Sequence, residues 1–286
     1  MDLNDIRRYF AEEIQAVANI RSEALVNAFA KVPREHFLGP GPWRIQGDRD
    51  ENYRTTEDAD PRRLYHNIIV AIDPGRHLNN GQPSYLAFCI DSLDLDEGDR
   101  VLHVGCGVGY YTAIMAEVVG TTGHVTGVEI DADLASRARE NLAYLKQVEV
   151  AHGNGVGYDP GPRDAIFINA GVTHPSDVWL DCLRPGGRLI LYLTVAFDDT
   201  SNGRGAMLKV KREDRGYTAH FLSKVSVFNC IGSRDEEANQ RLRENFMRGD
   251  WGPVQSLRRD AHELSDACWL HGDGLCLSTL PVPENP

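Results

Sequence analysis

Apolar positions recur at helical spacing twice near the start of the chain. Ile6, Phe10, Ile14 and Val17 mark one face over residues 4–18, and Leu25, Val26, Phe29 and Ala30 mark another over 22–31. Three- and four-residue spacings of this kind predict amphipathic helices, and Pro33 closes the second. Residues 39–63, rich in Gly, Pro, Asp and Arg, predict a long irregular connection. The apolar run Ile68-Ile69-Val70-Ala71-Ile72 then precedes Asn79-Asn80-Gly81-Gln82-Pro83-Ser84 and a helix over about 85–93.

From residue 100 short apolar runs alternate with helical patterns. Strands are predicted at 100–104, 125–130, 147–151, 164–169 and 187–194, and helices after Gly109, over 132–145 and over 175–182. Such alternation implies an α/β fold, a doubly wound, mostly parallel Rossmann-like sheet with helices on both faces. Two more strands, 205–212 and 217–228, join through Glu213-Asp214-Arg215-Gly216 and predict an antiparallel edge hairpin. Beyond Gly232 come a charged helix over about 234–247, Trp251-Gly252-Pro253, and an apolar segment around 267–279. One domain over 1–232, with N-terminal helices in 1–84, and an extension over 233–286 are therefore expected. Some fifty residues bury too little surface for a strong core of their own, so the extension should pack onto the main domain.

The segment with the most chemical content is Arg100-Val101-Leu102-His103-Val104-Gly105-Cys106-Gly107-Val108-Gly109-Tyr110-Tyr111, followed about twenty residues on by Val128-Glu129-Ile130-Asp131. A strand that runs into a glycine turn opening a helix, with a second strand ending in an acid, is the layout of a nucleoside-binding βαβ unit. Glu129 would accept the two ribose hydroxyls. A dinucleotide fingerprint places its third glycine one residue later, against a pyrophosphate at the helix N-terminus. The earlier Gly109 favours S-adenosylmethionine, which carries no phosphate, over NAD.

Composition narrows the partners. The 286 residues are 42% hydrophobic and 25% charged, as in ordinary globular proteins, and 30 basic against 42 acidic residues give a formal charge of −12. No electrostatic grip on nucleic acid or an anionic membrane is suggested. The arginines at 241, 243, 248, 258 and 259 are interspersed with acids and read as a solvated face. No apolar stretch has the length of a membrane span, and Met1-Asp2-Leu3-Asn4-Asp5 is unlike a signal sequence, so a cytoplasmic location is expected. The six cysteines are scattered and read as reduced and mainly buried. Cys268-x-x-His271 with Cys276 lacks a fourth ligand at zinc-site spacing, and no metal site is expected.

Several segments occur together in one order: Val32-Pro33-Arg34-Glu35-His36-Phe37, Gly81-Gln82-Pro83, Val101 to Ala113, Gly153-Asn154-Gly155, Asp164-Ala165-Ile166 and Leu183-Arg184-Pro185-Gly186-Gly187-Arg188-Leu189. Over roughly residues 20–232 this resembles the protein-L-isoaspartate O-methyltransferase family. The resemblance implies that Gly105, Cys106, Gly107 and Gly109 line the methionine part of S-adenosylmethionine, that Glu129 holds the ribose, and that Asn154 and Gly155 meet the adenine. His103 stands where the family has an acid at the end of the first strand. Tyr110 and Asn169 adjoin the same pocket and join the cofactor set. Residues 79–84 correspond to the family's acceptor loop, where Gly81 replaces a serine and Ser84 lies three positions on.

A carboxylate is ionised at neutral pH and needs no general base, whereas an amine, phenol or alcohol does. His174 is the candidate base, and Gly81 and Ser84 mark the acceptor site. The reading is an S-adenosylmethionine-dependent methyltransferase that O-methylates a carboxylate of a peptide or small molecule. Genuine isoaspartyl repair and a non-catalytic binding protein with this fold are the alternatives.

Overall fold

A computed structural model describes residues 2–47, 52–196, 202–249, 251–272 and 274–282. In chain order the elements are α1 (Leu3–Ala18), α2 (Glu23–Lys31), β1 (Arg44–Gln46), β2 (Arg54–Thr55), β3 (Ile69–Asp73), β4 (Leu78–Asn79), α3 (Pro83–Asp91), β5 (Arg100–Val104), α4 (Tyr110–Val119), β6 (His124–Glu129) and α5 (Ala132–Leu142). They continue with β7 (Val148–His152), β8 (Arg163–Val172), α6 (Asp177–Cys182), β9 (Leu183–Ala196), β10 (Asn202–Glu213), β11 (Gly216–Phe228), α7 (Glu236–Arg248), β12 (Ser256–Arg258), β13 (Cys268–Gly272) and β14 (Leu275–Ser278). The chain divides into two compact units, Met1–Asp99 with Cys106–His152, and Arg100–Gly105 with Gly153–Pro286.

In the first unit α1 and α2 start at Asp2 and Ser22, whose side chains accept from the N–H groups of Asp5 and Leu25. Their inward stripes bring Phe10 and Phe29 edge-to-face, and Phe29 meets Tyr110 and Tyr111 of α4. β6 pairs in parallel with β7 from Val125↔Val148 to Glu129↔His152, and α5 covers them with Leu134, Ala135, Ala138 and Leu142. The predicted irregular connection over 39–63 is corrected in part. Residues 48–51 lie outside the described residues, but β1 and β2 pair within this stretch and extend to an antiparallel sheet of order β2-β1-β3-β4. Its core is Leu38, Trp43, Ile45, Leu64 and Val70. Strands of two or three residues show no period in the sequence, and long-range burial of Trp43 and Ile45 makes them. Helix α3 starts two residues earlier than expected because Pro83 sits at its first position, where its missing N–H costs nothing.

In the second unit the strand order is β13-β14-β12-β11-β10-β9-β8-β5. β5, β8 and β9 run parallel and are nearly continuous in apolar residues, as strands buried on both faces are; Ala165, Ile166, Phe167 and Ile168 have no accessible surface. β9 to β11 are antiparallel, with the expected hairpin closing at Glu213↔Gly216. The C-terminal extension carries the sheet on beyond that hairpin: β12 pairs with β11 at Tyr217↔Leu257, then β14 with β12 and β13 with β14. Helix α7, capped by Asp235 on the Ala238 N–H, packs on β9 and β13. Among the described residues no helix is long and apolar enough to cross a membrane.

Candidate active site

The first unit holds the glycine turn from Cys106 onward and its acid, Glu129. Glu129 Oε2 accepts from the Gly107 N–H at 2.7 Å and Oε1 from the Asp131 N–H at 3.1 Å, and the side chain is almost wholly buried. Each oxygen keeps a second lone pair, so two vicinal hydroxyls can be accepted while the loop stays tied. The Cys106 N–H donates to Val128 O at 3.2 Å and fastens the turn to β6. At Gly109, φ is 95° and an added Cβ would stand 2.7 Å from Leu142 Cδ1, so the missing side chain lets the turn pass close to the C-terminal end of α5. Burial, with Glu129 nearby, pushes the Cys106 thiol up, and it stays protonated.

The Tyr110 ring lies in the aromatic core against Phe29 and Phe37 and is almost wholly buried.

Asp131 serves two elements. One oxygen caps α5 by accepting from the Leu134 N–H at 2.9 Å, the other pairs with Arg76, and both hold the carboxyl below the usual range. Arg76 also binds Asp73 at 2.7 Å. It thus links the end of the Glu129 strand to the chain entering residues 79–84.

In that loop Asn79 Oδ1 accepts from the Gly81 N–H at 2.9 Å, and the Ser84 N–H donates to Asn67 Oδ1 at 3.0 Å. Asn80 Oδ1 accepts from the Val70 N–H at 3.0 Å and from Arg34 Nη2 at 3.3 Å. Arg34 is fully buried and also donates to the carbonyls of Leu64 at 2.6 Å, His66 at 3.2 Å and Ile68 at 2.7 Å. One guanidinium therefore pins residues 64–68 and Asn80 together. Sequence reasoning used Arg34 only as a marker; the signal for its role was an arginine directly after an apolar helix and a proline. Gly81 has φ of 72°, and an added Cβ would stand 2.8 Å from Leu86 Cδ2.

The other candidates belong to the second unit. His103 has no accessible surface, and its ring stacks on Phe167 at 5.2 Å and 10°. Burial holds its pKa down to about 3, so the ring is neutral at physiological pH. Gly105 backs onto Asn169, whose carbonyl lies 3.2 Å from the position of an added Cβ. Asn154 is exposed and accepts from the Val156 N–H at 3.0 Å. Gly155 is fixed by packing: a Cβ there would overlap Val104, and its carbonyl accepts from Trp179 Nε1 at 2.9 Å. His174 Nδ1 lies 3.0 Å from Thr173 Oγ1, which also bonds the Ser233 carbonyl and the Asp235 N–H. These bonds tie His174 into the segment that leads to α7.

The profile of the family described as Protein-L-isoaspartate(D-aspartate) O-methyltransferase matches residues 7–224. The chain belongs to the protein-L-isoaspartate O-methyltransferase family. It is 34% identical to protein-L-isoaspartate O-methyltransferase 1 of Archaeoglobus fulgidus, over 67% of this chain and 81% of the relative. To the Thermotoga maritima protein of that description it is 32% identical, over 79% of this chain and 67% of the relative. A solved protein-L-isoaspartate O-methyltransferase shares the fold with a TM-score of 0.59 at 24% identity, covering 84% of this chain and 69% of its own. A Plasmodium falciparum structure described as such an enzyme in complex with S-adenosyl-L-homocysteine gives 0.59 at 19% identity, over 78% and 97%.

Membership in this family makes the chain an S-adenosylmethionine-dependent methyltransferase, as the early third glycine and Glu129 led us to expect, and it displaces NAD. The Rossmann-like α/β class holds as well. The matched region ends within β11, so α7 and β12 to β14 lie beyond the family's extent. Within it, the protein-L-isoaspartate O-methyltransferase segment Val32-Pro33-Arg34 serves to position the loop at 79–84 through Asn80.

Proposed function

We propose that this enzyme transfers the methyl group of S-adenosylmethionine to a carboxylate oxygen of a peptide or small molecule, and that its acceptor differs from that of a serine-bearing family member. The observation that carries the difference is Gly81. Its left-handed backbone strains any side chain placed there, and a serine would also have to displace the Leu86 side chain. Ser84 stands on the first turn of α3 and does not occupy that place. Buried Asn80 Nδ2 has no acceptor among the described residues, so the loop retains an amide donor of the kind a carboxylate accepts.

Glu129 and the glycines hold the donor, with Glu129 on the ribose. Gly105, Cys106, Asn154, Gly155 and Asn169 are assigned to the same ligand by the family pattern. An ionised carboxylate attacks the sulfonium methyl in line, the C–S bond breaks, and S-adenosylhomocysteine leaves neutral at sulfur. No proton has to move, so His174 need not act as a base.

A second reading, true isoaspartyl repair, is favoured by the extent of the family match. One experiment separates the outcomes: full-length enzyme with methyl-labelled S-adenosylmethionine, offered isoaspartyl, aspartyl and C-terminal carboxylate peptides. The proposal expects label released as methanol by mild base, from an acceptor other than the isoaspartyl peptide. Transfer confined to the isoaspartyl peptide would establish repair, and base-stable label would exclude a methyl ester altogether.

A further inference from the structure

Beyond the family match, the extension brings four soft side chains to one point. His262, Cys268, His271 and Cys276 place a ligand atom each within 4.8 Å of all the others. The spacing is His262-x5-Cys268-x2-His271-x4-Cys276. The fourth ligand absent from the sequence pattern is His262, upstream, on the connection between β12 and β13.

The sheet explains the assembly. His271 and Cys276 are cross-strand partners in β13 and β14, and Cys268 faces Ser278, two residues along from Cys276. Residues 268 and 271 would fall on opposite faces of a regular strand. The register shift between Cys268 and Leu270 removes that conflict and returns both to the face of Cys276. His262 reaches them from a connection tied down on its N-terminal side, where Arg259 pairs with Asp177 and Asp181 of α6. His262 Nδ1 lies 2.8 Å from the Asp260 carbonyl. An oxygen acceptor there fixes the proton on Nδ1 and leaves the Nε2 lone pair directed to Cys268 Sγ, 3.6 Å away. A backbone carbonyl behind a histidine ligand is the usual second contact of a metal site. On the opposite strand His271 Nδ1 is buried with no hydrogen-bond partner among the described residues.

We infer that His262, Cys268, His271 and Cys276 form a structural zinc site that fastens the 259–267 connection to the β13–β14 hairpin. Two thiolates and two imidazoles are a zinc donor set. Tetrahedral bonds of about 2.0 to 2.3 Å put donors about 3.3 to 3.8 Å apart, so the widest pair closes by about 1 to 1.5 Å. All four positions are taken by protein, so the ion has no open place for water or substrate, and its role is to hold a short extension that buries little core of its own.

The test uses the full chain, purified without chelators or a histidine tag. Elemental analysis should find about one zinc per chain, falling at least fivefold in Cys268→Ser and in Cys276→Ser. Because either variant could fail to fold, Co2+ is also added to chelator-stripped wild-type protein, where tetrahedral d–d bands with thiolate-to-cobalt charge transfer at one equivalent are expected. Protein that carries no zinc and gives no such spectrum, or one whose Cys268 and Cys276 are joined as a disulfide under reducing purification, would overturn the site.

Discussion

Glu129→Gln is the sharpest probe of the donor site. Both oxygens of Glu129 already accept a backbone N–H, from Gly107 and Asp131. Glutamine offers one oxygen, so one of those bonds is lost and an amide N–H faces another donor. Alanine would strand both N–H groups at about 1 to 3 kcal/mol each and confuse folding with binding, so the isostere is the better test. On the ligand side, the variant gives up one hydrogen bond from a ribose hydroxyl to a charged acceptor, worth about 1.5 to 3 kcal/mol. At 1.36 kcal/mol per decade this is roughly a 10- to 150-fold loss of affinity. Calorimetric titration should show equal losses for S-adenosylmethionine and S-adenosylhomocysteine, because the ribose is common to both. The methyl-transfer rate at saturating donor should change little, since a contact made equally in ground and transition states governs binding alone. A folded variant that binds within twofold of wild type, or that discriminates between the two ligands, would refute the ribose assignment.

Three further outcomes are expected. Arg34→Met removes the buried fork that holds three carbonyls and Asn80 and strands those acceptors at about 1 to 3 kcal/mol each, so urea unfolding should show a loss of about 3 kcal/mol or more; a loss below about 1 would remove its positioning role. Gly81→Ser combines left-handed strain of about 1 to 2 kcal/mol with a collision against Leu86 of about 1 to 3, so the variant should melt earlier without gaining isoaspartyl transfer while donor binding persists. His103 is held at about 3 when folded and returns to about 6.5 when unfolded, so the unfolded chain takes up its proton first as pH falls. Stability is unaffected above pH 6.5 and drops by up to about 1.4 kcal/mol per unit from there toward pH 3. His103→Phe should flatten that slope, which urea midpoints at pH 7 and pH 5 would reveal.

What could be read from the sequence was whatever follows from local period or local geometry. The parallel strands around Ile166 and Ile190 are legible because burial on both faces makes them continuously apolar, and the glycine turn because three glycines and an acid occupy fixed offsets. β1 and β2 were not legible: Arg44–Gln46 and Arg54–Thr55 are too short to show alternation, and they exist because Trp43 and Ile45 find Leu64 and Val70. His103 and Tyr110 sit beside the glycine turn in sequence, yet their side chains point into cores, since proximity along a chain does not set the direction of a side chain. Arg34 and His262 act across 46 and 6 residues respectively, through partners that only the folded chain supplies.

The contact between Gly81 and Leu86 has a bearing on how this acceptor loop can change over time. A side chain at position 81 must displace the Leu86 side chain, so the order of the two substitutions decides how costly the intermediate is. Leu86→Ala clears the space at the expense of a cavity, after which a residue at 81 refills part of it. Taken in the other order, the intermediate carries both strain and overlap. The pair should therefore be less damaging together than the sum of the single changes, and the route from this loop to a serine-bearing one runs through α3 before it reaches the turn itself.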